Sequence, residues 1–345
     1  MLRIKIAPNG LLTSIWDIPA RREVLAPGSE GNLFQLHDDK PNACDAWDID
    51  AYYKERVNEL RAIDRLEVVE RHPLRAKVRI ERSFGKSRIV QDIIVQAGSR
   101  RIDFDTRVRW QEDHKLLKVA FPVDILSPRA TYEIQFGHVE RPTHYNTSWD
   151  LARFEVCAHK WADLGEANYG VALLNDCKYG YDIYGNVMRL SLLRSPKAPD
   201  PTADRGDHQF TYALLPHPGD FREAGVVQEG YHLNIPLRVG VLEPGTGPLG
   251  FTHSFFSFDH SGAVVESVKI GEDKRSVVVR LYEAHGARGE ARLRIGLPVA
   301  EVRRTDLLER ETGESEFLEG GTVTLKLRPF EIVTLKLVVA QDRKI

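Results

Sequence analysis

The run IDFDTRVRW, residues 102–110, places Ile102, Phe104, Thr106, Val108 and Trp110 in alternation with Asp103, Asp105, Arg107 and Arg109. Successive side chains of an extended chain point to opposite faces, so this run reads as a β-strand with one buried and one wet face. The same period of two recurs on both sides of it. Val78 and Ile80 alternate with Lys77, Arg79 and Glu81; Ala291, Leu293 and Ile295 repeat the pattern, as do Val323, Leu325 and Leu327. Turn-forming groups punctuate these runs at Pro8-Asn9-Gly10, Gly98-Ser99, Gly185-Asn186 and Gly320-Gly321. Many short strands separated by such turns indicate an all-β sandwich. No strand–helix rhythm competes, and helical spacing appears only at Ile49, Tyr52, Tyr53, Val57 and Leu60, one short segment.

A chain of 345 residues is long enough for two domains. The turn Asp259-His260-Ser261-Gly262 separates an aromatic run from a new β-rich block, which places a large domain over 1–262 and a small one over 263–345. Pro196 to Pro201 is too proline-rich for a central strand and reads as a surface loop. With 48 basic and 50 acidic residues the net charge is −2, so no global field favours nucleic acid or an anionic membrane. The basic residues between Lys54 and Arg88 alternate with acids and apolar residues, as on a solvated strand face. Cys44, Cys157 and Cys177 are odd in number and lack C-x-x-C spacing, which suits a reducing compartment. No apolar run reaches the roughly 18 residues needed to span a bilayer, and MLRIKIAPNG holds no signal-peptide core. A cytoplasmic globular protein is expected, with no membrane and no nucleic-acid partner.

Two places carry candidate chemistry on their own. His37-Asp38-Asp39 has an H-x-D spacing, but a zinc site needs three or four convergent ligands and no second pair lies near, so no metal site is expected. Asp45-Ala46-Trp47-Asp48-Ile49-Asp50 is the densest carboxylate cluster; retaining glycosidases use two carboxyl groups about 5 Å apart, whereas aspartates in a polar turn cap backbone amides. His144, Ser148 and Asp150 lack the G-x-S-x-G elbow of a nucleophilic hydrolase. Phosphate-binding glycine motifs are absent too.

Between Arg141 and Asp182, Trp149, Phe154, Trp161, Tyr169, Tyr179 and Tyr181 mix with His144, His159, Asp150, Asp163 and Asp176, which suits a core or a sugar-facing surface. Three strings there, RPTHYNTSWDLARFEV, HKWADLGE and GVALLNDCKYGYD, resemble the C-terminal region of glycoside hydrolase family 38, the α-mannosidases. Further strings agree in the same order: NLFQLHDDKPNACDAWDID at 32–50, LSLLRSPKAPDPTADRGDHQFTYALLPH at 190–217, VVESVKIGEDKRSVVVRLYEAHG at 264–286 and LRPFEIVTLKL at 327–337. The resemblance implies a large antiparallel β-supersandwich, galactose-mutarotase-like, followed by a small sandwich. Full-length members begin with a β/α barrel carrying zinc and the nucleophile, then a helical bundle. This chain is therefore expected to be the half without catalytic residues, its cofactor zinc lying in that barrel and its partners being the barrel, the bundle and an α-mannoside or oligosaccharide. Loop positions carried over from larger members are Arg194 and Gln135. Asp45, Trp47, Asp48, His144, Asn175 and Asp176 join them as candidates for lining the substrate, since sugar hydroxyls call for such hydrogen-bonding groups. Most of Asp45, Asp48, Gln135, His144, Asn175, Asp176 and Arg194 are expected to gather on one surface of the large sandwich, beside an exposed Trp47 or Trp149. A free-standing carbohydrate-binding or scaffolding module is the alternative.

Overall fold

A computed structural model describes residues 1–241, 243, 245, 247 and 249–340. The alternating run forms the strand Ile102–Trp110, and its five inward positions are all buried. It sits inside a nine-stranded sheet, antiparallel to Ser87–Gln96 on one side and Gly206–Pro218 on the other. A six-stranded sheet runs in the order Val156–Cys157, Gly180–Tyr184, Val187–Arg194, Lys115–Pro122, Leu33–Asp38 and Val57–Glu59. Side chains of both sheets meet in one apolar core. Phe104 of the larger sheet stacks on Tyr212 at 4.9 Å and meets Phe121 of the smaller sheet at 5.5 Å between ring centroids. A three-stranded sheet of Leu2–Ile6, Leu12–Asp17 and Arg22–Glu23 completes this unit. The fold is all-β.

Thr106 is polar but faces inward, and the core accommodates it by closing a ring of hydrogen bonds. Gln91 Nε2 donates to Thr106 Oγ1 and to the Tyr212 hydroxyl, both at 2.8 Å. The Tyr212 hydroxyl donates to Asn32 Oδ1 at 2.6 Å, and Asn32 Nδ2 donates back to Gln91 Oε1 at 2.7 Å. Buried polar groups paired in this way avoid the cost of desolvation without a partner.

Residues Met1–Ile134 and Val139–Leu237 form one compact unit; Gln135–His138 and the chain from Arg238 onward form the second. The second unit holds a four-stranded and a five-stranded sheet around Leu281, Leu293, Leu325 and Leu335. Its division falls earlier than the 262/263 boundary expected from the Asp259–Gly262 turn. The reason is a strand before that turn: Phe256–Phe258 pairs with Gly289–Ile295 inside the second unit.

The segment from Ile49 to Leu60 departs from its helical spacing. Only Ala51–Glu55 coils, as a 3₁₀ turn, and Val57–Glu59 is an edge strand paired with Leu33–Asp38. The longer helix, Val226–Asn234, follows Gly225, whose φ of 69° is a left-handed conformation that glycine adopts without strain. Pro196 to Pro201 is a loop, as read. The basic stretch covers the edge strand Arg65–His72 and its neighbour Arg75–Phe84, with surface pairs such as Arg75–Glu70 at 2.8 Å. Arg82 is its exception, buried with its guanidinium 5.2 Å from the Phe34 ring centre. All three cysteines are free. No helix among the described residues is long and apolar enough to cross a membrane.

Phe104 joins the two sheets, so Phe104→Ala leaves a cavity between them. The substitution should lower unfolding stability by about 3–5 kcal/mol, read from urea denaturation of the chain; a loss below about 1 kcal/mol would contradict this packing role.

Candidate functional site

The six-stranded sheet has two covered faces, and register shows what each carries. In Lys115–Pro122, Leu117, Val119 and Phe121 enter the core, leaving Leu116, Lys118 and Ala120 on the other side. Lys118 lies opposite Gln35 on one neighbouring strand and Ser191 on the other. Ala120 lies opposite Arg189, which lies opposite Asp182. His37, two residues beyond Gln35, presents the same face. The 3₁₀ turn Ala51–Glu55 folds back over this polar face and lays Tyr53 upon it, edge-on to His37 with ring centres 5.0 Å apart.

Lys118 has no exposed surface. Its ammonium pairs with Glu155 and donates to the Tyr53 hydroxyl at 3.1 Å, while Asp182 Oδ2 lies 3.8 Å away. Tyr53 donates to Glu155 at 2.5 Å, and Ser191 to the other Glu155 oxygen at 3.2 Å. Lys54 and Arg189 also reach Asp182 Oδ2, at 3.1 and 3.4 Å. Burial opposes ionisation of Asp182, yet Lys118, Lys54 and Arg189 outweigh it and hold the carboxyl below the usual range. Burial and then Glu155 raise Tyr53, which keeps its phenol protonated as a donor.

Beside this network lies a hollow of about 320 Å³, lined by Gln35, His37, Tyr53, Lys54, Val57, Tyr145, Asp182, Tyr184 and Arg189. Tyr145 and Tyr184 stack at 4.4 Å to form one wall, and Arg189 Nε donates to Gln35 Oε1 at 3.0 Å. His37 is 5% exposed, its ring nitrogens have no surface open to the hollow, and the Tyr53 backbone is the polar group beside them. Burial, with Lys118 next, lowers its pKa to about 4, so the ring is neutral at physiological pH. Lys118 and Arg189 are cations and would repel a metal ion, and among the described residues no three His, Cys, Asp or Glu side chains converge as metal donors.

The candidates read from sequence separate into groups. Arg194 forms a forked pair with Asp39, whose carboxylate is buried, and donates to the backbone carbonyls of Ala46 and Asp48. Asp45 Oδ2 accepts the backbone amides of Lys197 and Ala198 at 2.6 and 3.1 Å. Asp48 Oδ1 accepts its neighbour Ile49 N–H at 2.9 Å, and Trp47 is 76% exposed at the tip. Asp45, Trp47, Asp48 and Arg194 therefore do come together, in a loop that Arg194 clamps. His144, Asn175 and Asp176 do not join them. His144 lines a separate depression with Ser127, Glu166 and Asn186. Asn175 is buried and fully occupied, donating to the His159 carbonyl and the Tyr181 hydroxyl and accepting from the Lys178 N–H. Asp176 accepts the Thr211 N–H at 2.9 Å, and Gln135 belongs to the second compact unit. Asp150, set aside as a triad member, caps the helix Ser148–Leu151 through a reciprocal box with Thr147. Sequence reasoning missed Lys118, Glu155, Asp182 and Arg189; the one available signal was a lysine inside the apolar run Leu116–Phe121.

Residues 1–202 match the glycosyl hydrolases family 38 C-terminal domain, and residues 262–335 match the glycosyl hydrolases family 38 C-terminal beta sandwich domain. Human alpha-mannosidase 2C1 is 46% identical over 345 residues, covering 98% of this chain and 33% of its own length. Alpha-mannosidase G of Dictyostelium discoideum is 41% identical, covering 98% of this chain and 32% of its own length. The chain thus spans about a third of the length of these relatives. The crystal structure of an alpha-mannosidase from Enterococcus faecalis V583 matches 97% of this chain and 41% of its own with a TM-score of 0.78 at 18% identity, a likeness of fold.

The buried neutral imidazole makes stability depend on pH in a definite direction. His37 titrates near 4 folded against an ordinary 6.5, so below 6.5 the unfolded chain binds the proton first. Stability should fall as pH drops from 6.5 towards 4, by up to about 3 kcal/mol from this group at 1.36 kcal/mol per unit. Urea midpoints of His37→Phe should be flatter over that window than those of the parent chain; parallel profiles would mean that His37 is solvated.

Proposed function

The chain belongs to glycosyl hydrolase family 38 as its C-terminal domain, and from that membership we propose that it forms the accessory β-sandwich part of a retaining α-mannosidase. The observation that carries the reading is the likeness to alpha-mannosidase 2C1 along nearly the whole chain at 46% identity. The carboxylates support an accessory role. A retaining glycosidase needs one carboxyl free to attack the sugar and a second to donate a proton, flanking the bond. Here Asp45 is held by two backbone amides, Asp39 by Arg194, Glu155 by Lys118 and Tyr53, and Asp182 by three cations. Each is committed to holding structure.

What this part offers a substrate is position. Arg194 fixes the loop that presents Trp47, and an exposed indole beside polar backbone is a surface on which a sugar ring can lie. In this reading the α-mannoside is bound between that loop and a catalytic part, the β/α barrel with its helical bundle, which holds the zinc. The work is cytoplasmic, in keeping with three free cysteines.

The chain alone, with or without zinc, should not turn over an aryl α-mannoside. Co-expressed with the remaining two thirds of a relative such as alpha-mannosidase 2C1, it should restore turnover, and Arg194→Met should raise KM in the pair. Turnover by the chain alone that is lost on mutating Asp45 or Asp48 would sink the accessory reading, as would a pair that neither associates nor hydrolyses.

A further inference from the structure

Trp110 and Trp161 are buried, whereas Trp149 is 76% exposed, as Trp47 is. The Trp47 loop has been given a use; the second indole has not. It lies in an excursion between strands where every residue from Asn146 to Arg153 except Asp150 is exposed. We propose that Trp149 is the anchor by which this chain docks on the catalytic part of its enzyme, the part that its relatives carry in the other two thirds of their length. The inference rests on the accessory reading and names the surface through which it works.

Rigidity is the first argument. The indole stands on the one-turn helix Ser148–Leu151, whose start is closed twice: Thr147 Oγ1 accepts the Asp150 N–H at 3.1 Å, and the Thr147 N–H donates to Asp150 Oδ2 at 3.2 Å. A single turn is too short to persist by itself. Lys54 holds it from outside. Its ammonium donates to the Tyr145 hydroxyl at 2.8 Å and to the Phe154 carbonyl at 3.1 Å, so one side chain closes both ends of the excursion. Asp182 fixes that lysine in turn, at 3.1 Å. An indole held in place beforehand loses little freedom when a partner covers it. Tryptophan is also among the residues that dominate binding energy at protein interfaces.

Surroundings are the second argument. Thr147 and Asp150 direct their side chains back onto the helix, and His144 Nδ1 accepts the Asn146 N–H at 3.4 Å. Leu151, 50% exposed, and the exposed Ala152 follow Trp149 in the same turn. Trp47 stands instead in a loop whose carbonyls Arg194 gathers. An aromatic ring with aliphatic neighbours suits the apolar centre of a protein interface, where a sugar platform calls for hydrogen-bonding groups at its side.

Position names the occupant. The chain aligns over 98% of its length with a third of alpha-mannosidase 2C1, so in that relative the same fold is joined to a partner about twice its size. Domains of one polypeptide meet over roughly 600–1,500 Å². The excursion that carries Trp149 adjoins the one that carries Trp47, through Lys54 and through Tyr53 and Phe154, whose ring centres are 6.4 Å apart. A catalytic part seated on Trp149 therefore lies beside the loop that the accessory reading places against the substrate.

The test mixes the 345-residue chain with the remaining two thirds of human alpha-mannosidase 2C1, reading association by biolayer interferometry and turnover with an aryl α-mannoside. Trp149→Ala should weaken association about 30-fold or more, the scale of an interface hot spot. With the chain in saturating excess, KM of the assembled pair should stay within about twofold of the parent value. Trp149→Phe keeps part of the ring and should fall between. Thermal midpoints of both variants should match the parent, because the side chain is exposed; a marked drop would make Trp149 part of the fold and overturn the proposal. Association that neither variant alters overturns this inference and leaves the accessory reading standing, whereas a parent chain that does not associate overturns both. Unchanged association with a raised KM would make the indole a sugar platform, and self-association lost in Trp149→Ala would make it a contact between copies; either result overturns the proposal.

Discussion

A lysine with no accessible surface cannot stand unpaired in the middle of a β-sheet. Taking an ammonium out of water costs several kcal/mol even after relaxation, and removing one partner of a buried pair typically costs about 3–5 kcal/mol. Lys118 occupies a central position of the six-stranded sheet under that constraint. Glu155 answers it from beside the edge strand Val156–Cys157, and Tyr53 from the 3₁₀ turn that follows the aspartate cluster. The chain between Asp39 and Val57 must therefore fold back across the sheet to deliver Tyr53. Arg194 secures the earlier part of the same excursion by tying Asp39 to the carbonyls of Ala46 and Asp48. Both the polar hollow and the Trp47 loop are thus consequences of where one charged side chain sits.

Two polar networks of unlike purpose show how structure and binding can be told apart. The ring of Asn32, Gln91, Thr106 and Tyr212 inside the core closes on itself, and its strong donors and acceptors face one another. A closed ring rigidifies the sandwich and has nothing left to offer a ligand. The network on the outer face of the smaller sheet closes around Lys118, which Glu155 and the Tyr53 hydroxyl answer, and its rim at Lys54, Tyr145 and Arg189 faces a hollow.

Ile102–Trp110 was legible because its sheet buries one face and wets the other, so the side chains report the period directly. Lys115–Pro122 was not, because both faces of its sheet are covered and six consecutive residues are buried. Lys118 there looks like a flaw in an apolar run until the neighbouring strands are placed beside it. Asn175 and Asp176 misled for a related reason. Polar residues at the end of an apolar strand bond to nearby backbone more often than they face a ligand: Asn175 accepts the Lys178 N–H in its own turn, and Asp176 accepts the Thr211 N–H of the neighbouring strand. The helix Val226–Asn234 escaped because Gly230 lies inside it, where glycine ordinarily weakens a helix; its face against Trp161 leaves room for nothing larger, since a Cβ at that position would come within 2.9 Å of the indole.

The resemblance carried what local reading could not, namely the kind of protein, but it could not carry the details of the site. Four of the eight lining candidates meet in one loop because that loop is continuous in sequence and Arg194 follows a strand that reaches it. Asp182 and Arg189 face each other across one hairpin, but Lys118 comes from a strand far earlier in the chain, and only antiparallel register brings it beside them. Register is a property of pairs of strands, so no single segment displays it. A sandwich conceals in its sequence the residues that share a face, and reveals those that share a loop. For this chain the loop around Trp47 was legible first, while the enclosed polar face around Lys118 became visible only when the sheet was assembled.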